Sequence, residues 1–182
     1  AVASVDLSAA ANVAGNVSLS AAESILLGGD LAVDGAFSAQ ATTATGQITN
    51  AAAGSLEIAG HTNLDAHTID LGNQADDQLS LNTLTISSDG TVDISEDGSA
   101  TDETTELTGA NFSHALRLSN TGSITLASGA TLELSGSLQL SASGLDADLI
   151  VDGDIAVTDG DADLSAGGQV TLGSAASIAL SG

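Results

Sequence analysis

Apolar residues return along this chain as short triplets with a polar or small residue in the middle: Val17/Leu19, Leu31/Val33, Leu56/Ile58, Ile69/Leu71, Leu79/Leu81, Leu84/Ile86, Val92/Ile94, Leu116/Leu118, Ile124/Leu126, Leu132/Leu134, Leu138/Leu140, Ile155/Val157, Val170/Leu172 and Ile178/Leu180. A period of two is that of a strand with one face in and one face out. Between Leu116 and Leu140 the triplets stand six to eight residues apart, separated by Gly122, Gly129 and Gly136 or by Asn/Ser/Asp clusters. Gly and Asn supply the positive-φ corners that sharp turns need. No helical period and no linker interrupts the pattern.

The pattern also repeats at long range. Gly35-Ala36-Phe37-Ser38 returns about 75 residues later as Gly109-Ala110-Asn111-Phe112-Ser113, and Gly46-Gln47-Ile48-Thr49 through Leu56-Glu57-Ile58-Ala59-Gly60 returns as Gly122-Ser123-Ile124-Thr125 through Leu132-Glu133-Leu134-Ser135-Gly136. Strands of three or four residues at regular spacing fit either an antiparallel sandwich or a parallel solenoid. Antiparallel hairpins of this length carry Asn-Gly or Asp-Gly turns and longer, aromatic strands. Here Pro is absent, the only aromatics are two Phe, and whole blocks recur, which a stack of like on like explains.

The expectation is therefore one all-β domain over 1–182, a parallel β-helix (β-solenoid) of about seven to nine coils, with three short strands and roughly 19 to 25 residues per coil, carrying the 75-residue block as an internal repeat. Inward positions form ladders of Leu, Ile and Val, and outward positions carry Ser, Thr, Asp and Gln. On this pattern Arg117, between Leu116 and Leu118, is a solvent-facing residue with no special role, and both Phe fill a wider corner of the core. The stretch from Ser87 to Glu106 is the least regular, with Asp89, Asp93, Glu96, Asp97, Asp102, Glu103 and Glu106 crowded into it, and predicts a loop bulging from the rod.

Composition narrows the partners. Twenty-four acidic residues against the single Arg117 give a formal net charge of -23. A polyanion binder needs several Lys or Arg to displace counterions, so nucleic acid is excluded, and anionic membrane surfaces are disfavoured for the same reason. Membrane insertion is not expected, because the densest apolar runs, Ile25-Leu26-Leu27 and Leu149-Ile150-Val151, stop far short of the roughly 18 residues a spanning helix requires. The acids keep a repetitive, edge-rich protein apart from its neighbours. With no Cys there is neither a disulfide nor a thiolate metal site. There is no Met either, and the chain opens Ala1-Val2-Ala3-Ser4, small residues of the kind left near a signal-peptidase cut, which predicts an exported, processed product or a piece of something longer.

Candidate chemistry is sparse, and no enzyme is expected. A paired-carboxylate glycosidase is formally open, but on a surface this rich in Asp close pairs arise without function. His61 and His67 flank Asp65, a spacing that invites a metal site, while His114 lies far off; solvent-facing turn histidines are the simpler reading. Thr83-Leu84-Thr85 stands almost alone, so an ice-binding Thr ladder is not supported. The strongest ligand candidate is the run Asp146, Asp148, Asp152, Asp154, Asp159, Asp161 and Asp163. Within it Asp159-Gly160-Asp161-Ala162-Asp163 offers three carboxylates at alternate positions, the oxygen-rich arrangement a structural calcium ion takes. The match to known calcium loops is partial: Val170 stands where an EF-hand loop has Glu, and tandem Gly-Gly-x-Gly-x-Asp is missing. Two readings stand, calcium held by Asp159, Asp161 and Asp163 or a solvated acidic edge.

The Gly-x-Ile-Thr and Leu-x-Leu-x-x-x-Gly phrasing, the stretches Leu71-Gly72-Asn73-Gln74 and Ile94-Ser95-Glu96-Asp97, and the Ala/Ser/Thr/Gly/Asp-rich composition resemble the repeat regions of filamentous-haemagglutinin-type and related giant bacterial surface proteins. The resemblance implies a right-handed parallel β-helix that is exported and serves as a stalk, adhesin or matrix fibre. That family's secretion module is not recognisable in this sequence. Neither end of the pattern shows a capping helix, Pro or charge cluster, which leads to two expectations: a subunit that self-associates end to end into a filament, or a segment of a longer adhesin that meets a cell-surface or glycan receptor.

Overall fold

The computed structural model describes residues 2–51, 54–74, 78–97 and 104–182. Among them twenty-two strands and no helix are found, and every strand pairing is parallel. The chain winds as a β-solenoid of about seven turns with three faces. The first face stacks Ser4–Leu7, Ser24–Leu27, Gln47–Asn50, Thr68–Leu71, Thr91–Glu96, Ala115–Asn120, Leu138–Ala142 and Ala162–Ala166. The second runs from Ala11–Val13 through Leu31–Val33, Thr104–Leu107, Ser123–Leu126 and Leu149–Val151 to Val170–Leu172, and the third from Val17–Ala21 through Phe37–Ala41, Ala110–Ser113, Thr131–Leu134 and Asp154–Val157 to Ser177–Leu180. One coil advances by as few as 19 residues, where Thr104 pairs Ser123, and as many as 25, where Leu31 pairs Leu56. That is the range the triplet spacing predicts.

Like stacks on like. On the first face Ile25, Ile48, Ile69, Val92, Leu116 and Leu138 lie one above another in register, all buried. The alternation of the pleat puts these residues inside and leaves their neighbours outside. Each ladder removes methyl groups from water on both sides at once, and burial of that apolar surface at about 25 cal/mol per Å² is what holds the coils together. The core is a single narrow aliphatic column from Ala21 to Val157, with half-buried Val5, Leu7, Val13, Val17 and Leu19 closing one end.

Three sequence expectations need correction. First, strands are not uniformly short: Ser55–Asp65 and Gln78–Ser87 are 11 and 10 residues long and run straight through the corner that elsewhere separates the second and third faces, welding both into one 14-stranded sheet. Their register slips between Leu81 and Thr83, where Ala59 and Gly60 lie opposite Asn82, and the Asn82 amide fills the bulge by donating to the Ala59 carbonyl at 2.9 Å. Second, inward positions are not all Leu, Ile and Val: within the acidic stretch from Ser87 to Glu106, the rungs Thr91–Glu96 and Thr104–Leu107 place Glu96 and Thr105 inside; residues 98–103 of that stretch, Asp102 and Glu103 among them, lie outside the described residues, and with them the place for the expected loop. The alternation of these strands is regular, and the triplet Val92/Ile94 belongs to it, but a reading keyed to apolar triplets does not extend it to Glu96 and Thr105.

The third correction concerns the two Phe. Phe37 is 1% exposed and fills the core, whereas Phe112 is 43% exposed and faces outward. Asn111, the residue that distinguishes the second copy of the motif from the first, shifts the phase of the pleat by one. Asn111 therefore points in, and the ring that would follow it points out.

Candidate functional site

Two strips of surface concentrate polar chemistry. The first runs along the first face, where the outward positions Asp70, Asp93, Arg117, Gln139 and Asp163 stack in register on successive coils. Rows of smaller residues flank this ridge, with Ser95, Ser119, Ser141 and Ser165 on one side and Thr68, Thr91, Ala115 and Ser137 lining a groove of ≈ 560 Å³ on the other. The parallel ladder forces carboxylates of adjacent coils to within a rung spacing of each other, about 4.8 Å, and Arg117 relieves that repulsion. Its Nη1 donates to Asp93 Oδ1 at 2.8 Å and to Asn73 Oδ1 at 3.4 Å, and Asn73 Nδ2 in turn donates to Asp70 Oδ1 at 2.9 Å. Arg117 does face solvent, but it has a partner in the coil below, so the expectation of no special role is too spare.

The second strip is the corner between the third face and the next coil. His67, Gly90, His114 and Gly136 occupy equivalent places on successive coils. Each imidazole lies across the glycine above it: a Cβ on Gly90 would stand 2.9 Å from His67 Cε1, and one on Gly136 would stand 3.2 Å from His114 Cε1. Lying over Gly90, the His67 ring reaches Asp89, Nδ1 to Oδ1 at 2.7 Å, and lying over Gly136 the His114 ring reaches Ser135 Oγ at 3.0 Å. Alternation of His and Gly is what lets the corner accept rings without widening. Phe112 stands beside this corner between two shallow grooves, one shared with Gln40, Asp65 and His67 and the other with His114, Glu133 and Ser135.

The metal pairing suggested by His61, Asp65 and His67 is not assembled. His61 lies on a strand and meets Thr83 Oγ1 at 3.0 Å and Thr85 Oγ1 at 3.2 Å, Asp65 accepts from Gln40 Nε2 at 2.7 Å, and His67 turns to Asp89. Among the described residues no three His, Asp or Glu side chains converge as a metal-ion ligand set.

The acidic run is distributed around a single turn. Asp146, with φ of 77°, and Asp148 belong to the corner after the first face, Asp152 to the next corner and Asp154 to the start of the strand that follows it, Asp159 and Asp161 to the third corner, and Asp163 to the strand after that. Their recurrence every six or seven residues is the period of the corners. Three of them accept from separate donors: the Gln169 amide to Asp148 at 2.8 Å, Ser177 Oγ to Asp154 at 2.6 Å, and Gln139 Nε2 to Asp163 at 3.4 Å. Asp161 and Asp163 share the groove beside Arg117, while Asp159 lies two residues earlier in the exposed corner.

Sequence reasoning missed a buried polar cluster at the centre of the rod. Glu96, at the inward end of its strand, accepts from the Leu81 amide at 2.7 Å through Oε2 and from the Thr105 hydroxyl through Oε1. Thr105 Oγ1 also accepts from Asn120 Nδ2 at 2.8 Å, and Asn120 Oδ1 receives the Gly122 amide at 2.7 Å. Asn111 forms a second cluster across the next corner, receiving the Ile86 amide at 2.9 Å and donating to the Thr108 and Thr131 carbonyls. These groups satisfy backbone donors and acceptors that corners strand inside the column. The signal that could have found them is parity: Glu96, Thr105, Asn111 and Asn120 all sit on the inward phase of their strands.

Compared with known proteins, the chain matches no protein-family model, no curated protein and no solved structure.

Proposed function

We propose that this chain is a non-enzymatic extracellular structural protein, a β-solenoid rod that serves as a subunit of a surface filament or matrix fibre. The observation that carries the reading is the three-faced stack of about seven parallel coils, in which successive rungs bury one another's apolar inward positions around a single column. The sides of the rod argue for a spacer: they carry shallow grooves and a dense negative charge that repels lateral contact. The extracellular setting rests on the likeness of the repeats to filamentous-haemagglutinin-type surface proteins.

The second reading is a stalk segment of a large secreted adhesin that binds host or neighbouring-cell surfaces, favoured by the same stack, since a rod of like coils lengthens by adding more of them in one chain. Negative-stain imaging of the native material separates the two. Continuous fibres with a regular axial repeat support the subunit, and monodisperse short rods count against it.

A further inference from the structure

We propose that Phe112 is the platform of a glycan-binding site on the third face, suited to a strand of amino sugars. The site lies on the flank of the rod, so it goes beyond both readings above and holds for either. Its first support is the placement of the ring. Phe112 is the one exposed aromatic of the chain, because the only other, Phe37, is buried. Asn111 holds it outward: turned into the column, Asn111 receives the Ile86 amide and donates to the Thr108 and Thr131 carbonyls. A buried polar residue in place of an aliphatic rung thus keeps the ring in water, where a ligand can reach it. The ring also belongs to an outward ladder. Gln40, Asp65, Ser87, Phe112 and Glu133 stand one per coil in register, about 4.8 Å from rung to rung. That step is close to the length of one sugar unit in an extended glycan, so a strand lying along the rod axis meets a new rung with each unit.

The second support is the surroundings of the ring. Two grooves meet there, one of ≈ 520 Å³ that takes in Gln40, Asp65 and His67, the other of ≈ 420 Å³ that takes in His114, Glu133 and Ser135; Ser88, Asp89 and Phe112 line both. Each has the volume of a small-ligand site. Their chemistry selects the ligand. A sugar ring has an apolar C–H face that stacks on an aromatic ring and hydroxyl edges that donate to carboxylates and amides. Asp65, Asp89 and Glu133 rim the grooves, and the chain's single Arg, Arg117, stands on another face. Anionic sugars are therefore repelled, while an ammonium group is attracted both by the carboxylates and by the negative face of the Phe112 ring. An extended peptide is the poorer fit, because the backbone at these rungs is already paired from coil to coil and leaves no edge for strand addition.

The test titrates a glucosamine hexasaccharide into the full chain by calorimetry at physiological salt, with the N-acetylated hexasaccharide and a lysine hexapeptide as comparison ligands. The expected result is binding of the glucosamine strand that Phe112→Ala weakens about tenfold, Phe112→Trp retains and Glu133→Gln weakens several-fold. Asp163→Asn, on the first face, leaves it unchanged, and retained β-sheet circular dichroism shows that each variant folds. Equal binding of the N-acetylated strand shows that the amine is not read and overturns the amino-sugar assignment. A lysine hexapeptide that depends on Phe112 to the same degree reveals a surface for basic peptides and overturns the glycan. Binding that Phe112→Ala leaves intact, or that Asp163→Asn weakens as much as Glu133→Gln, is diffuse attraction to an acidic rod and overturns the site, as does an absence of binding at millimolar ligand.

Discussion

The two Phe-containing motifs differ by one inserted residue and end in opposite environments. Around Phe37 the third face is aliphatic inside, with Leu19, Ala39, Leu64 and Ile86 stacked on one another next to the ring. Around Phe112 the ring is outside, its inward place taken by an Asn tied to three backbone groups. In a parallel ladder, composition says which residues are available for the core, and phase says which of them enter it. A near-duplicate sequence block is thus no guarantee of a duplicate core.

The contrast is broken most severely at Phe37. Phe37→Ala should cost about 3–5 kcal/mol in urea unfolding, because a buried ring is lost in the middle of a ladder that cannot collapse around the gap; Phe112→Ala should change stability by no more than about 0.5 kcal/mol. Equal losses at the two positions would refute the difference in orientation. Next in size, Asn111→Leu should cost about 2 kcal/mol: it supplies apolar volume but strands the Ile86 amide and the Thr108 and Thr131 carbonyls inside the column. A neutral result would mean the corner amide is dispensable.

Thr62 offers a change of the opposite sign. It sits in register between Phe37 and Leu84 with a buried hydroxyl that has no partner. Thr62→Val should raise the urea midpoint by the equivalent of about 1 kcal/mol, because an unpaired polar group is replaced by a methyl of the same shape. The smallest effect is expected at Arg117. Its pair with Asp93 is half exposed on both sides, so Arg117→Gln should cost under about 1 kcal/mol at low salt and nothing measurable at high salt.

Much of this architecture is legible in the sequence wherever inside and outside differ in polarity. Leu132-Glu133-Leu134 and Leu138-Gln139-Leu140 declare strand, phase and face by themselves, and the coil length follows from their spacing. The parts that stay hidden are those where the inward residue is polar. Glu96 and Thr105 read as surface because nothing local says that a corner will leave a backbone amide in need of an acceptor. Glycine is ambiguous for a similar reason: of Gly122, Gly129 and Gly136, Gly129 has positive φ, at 78°, whereas Gly136 is needed because a Cβ would meet the His114 carbonyl oxygen at 2.7 Å. That constraint comes from a residue 22 positions earlier and cannot be read locally. In the acidic run, close spacing along the chain from Asp146 to Asp154 becomes separation around the rod once the chain turns its corners, whereas Asp161 and Asp163 stay together in one groove.

Everything rests on parallel coils stacked in register, and engineered disulfides test that most directly because the chain contains no Cys. Ser95 and Ser119 face outward on adjacent coils with their hydroxyls 3.0 Å apart, and Ser141 lies one coil further. The double variant Ser95→Cys/Ser119→Cys should oxidise to an intramolecular disulfide. Ser95→Cys/Ser141→Cys should remain reduced, because two rungs separate its Cα atoms by roughly 9–10 Å, beyond the reach of about 7 Å. Failure of the first pair to close, or closure of the second, would contradict the stacked-coil structure.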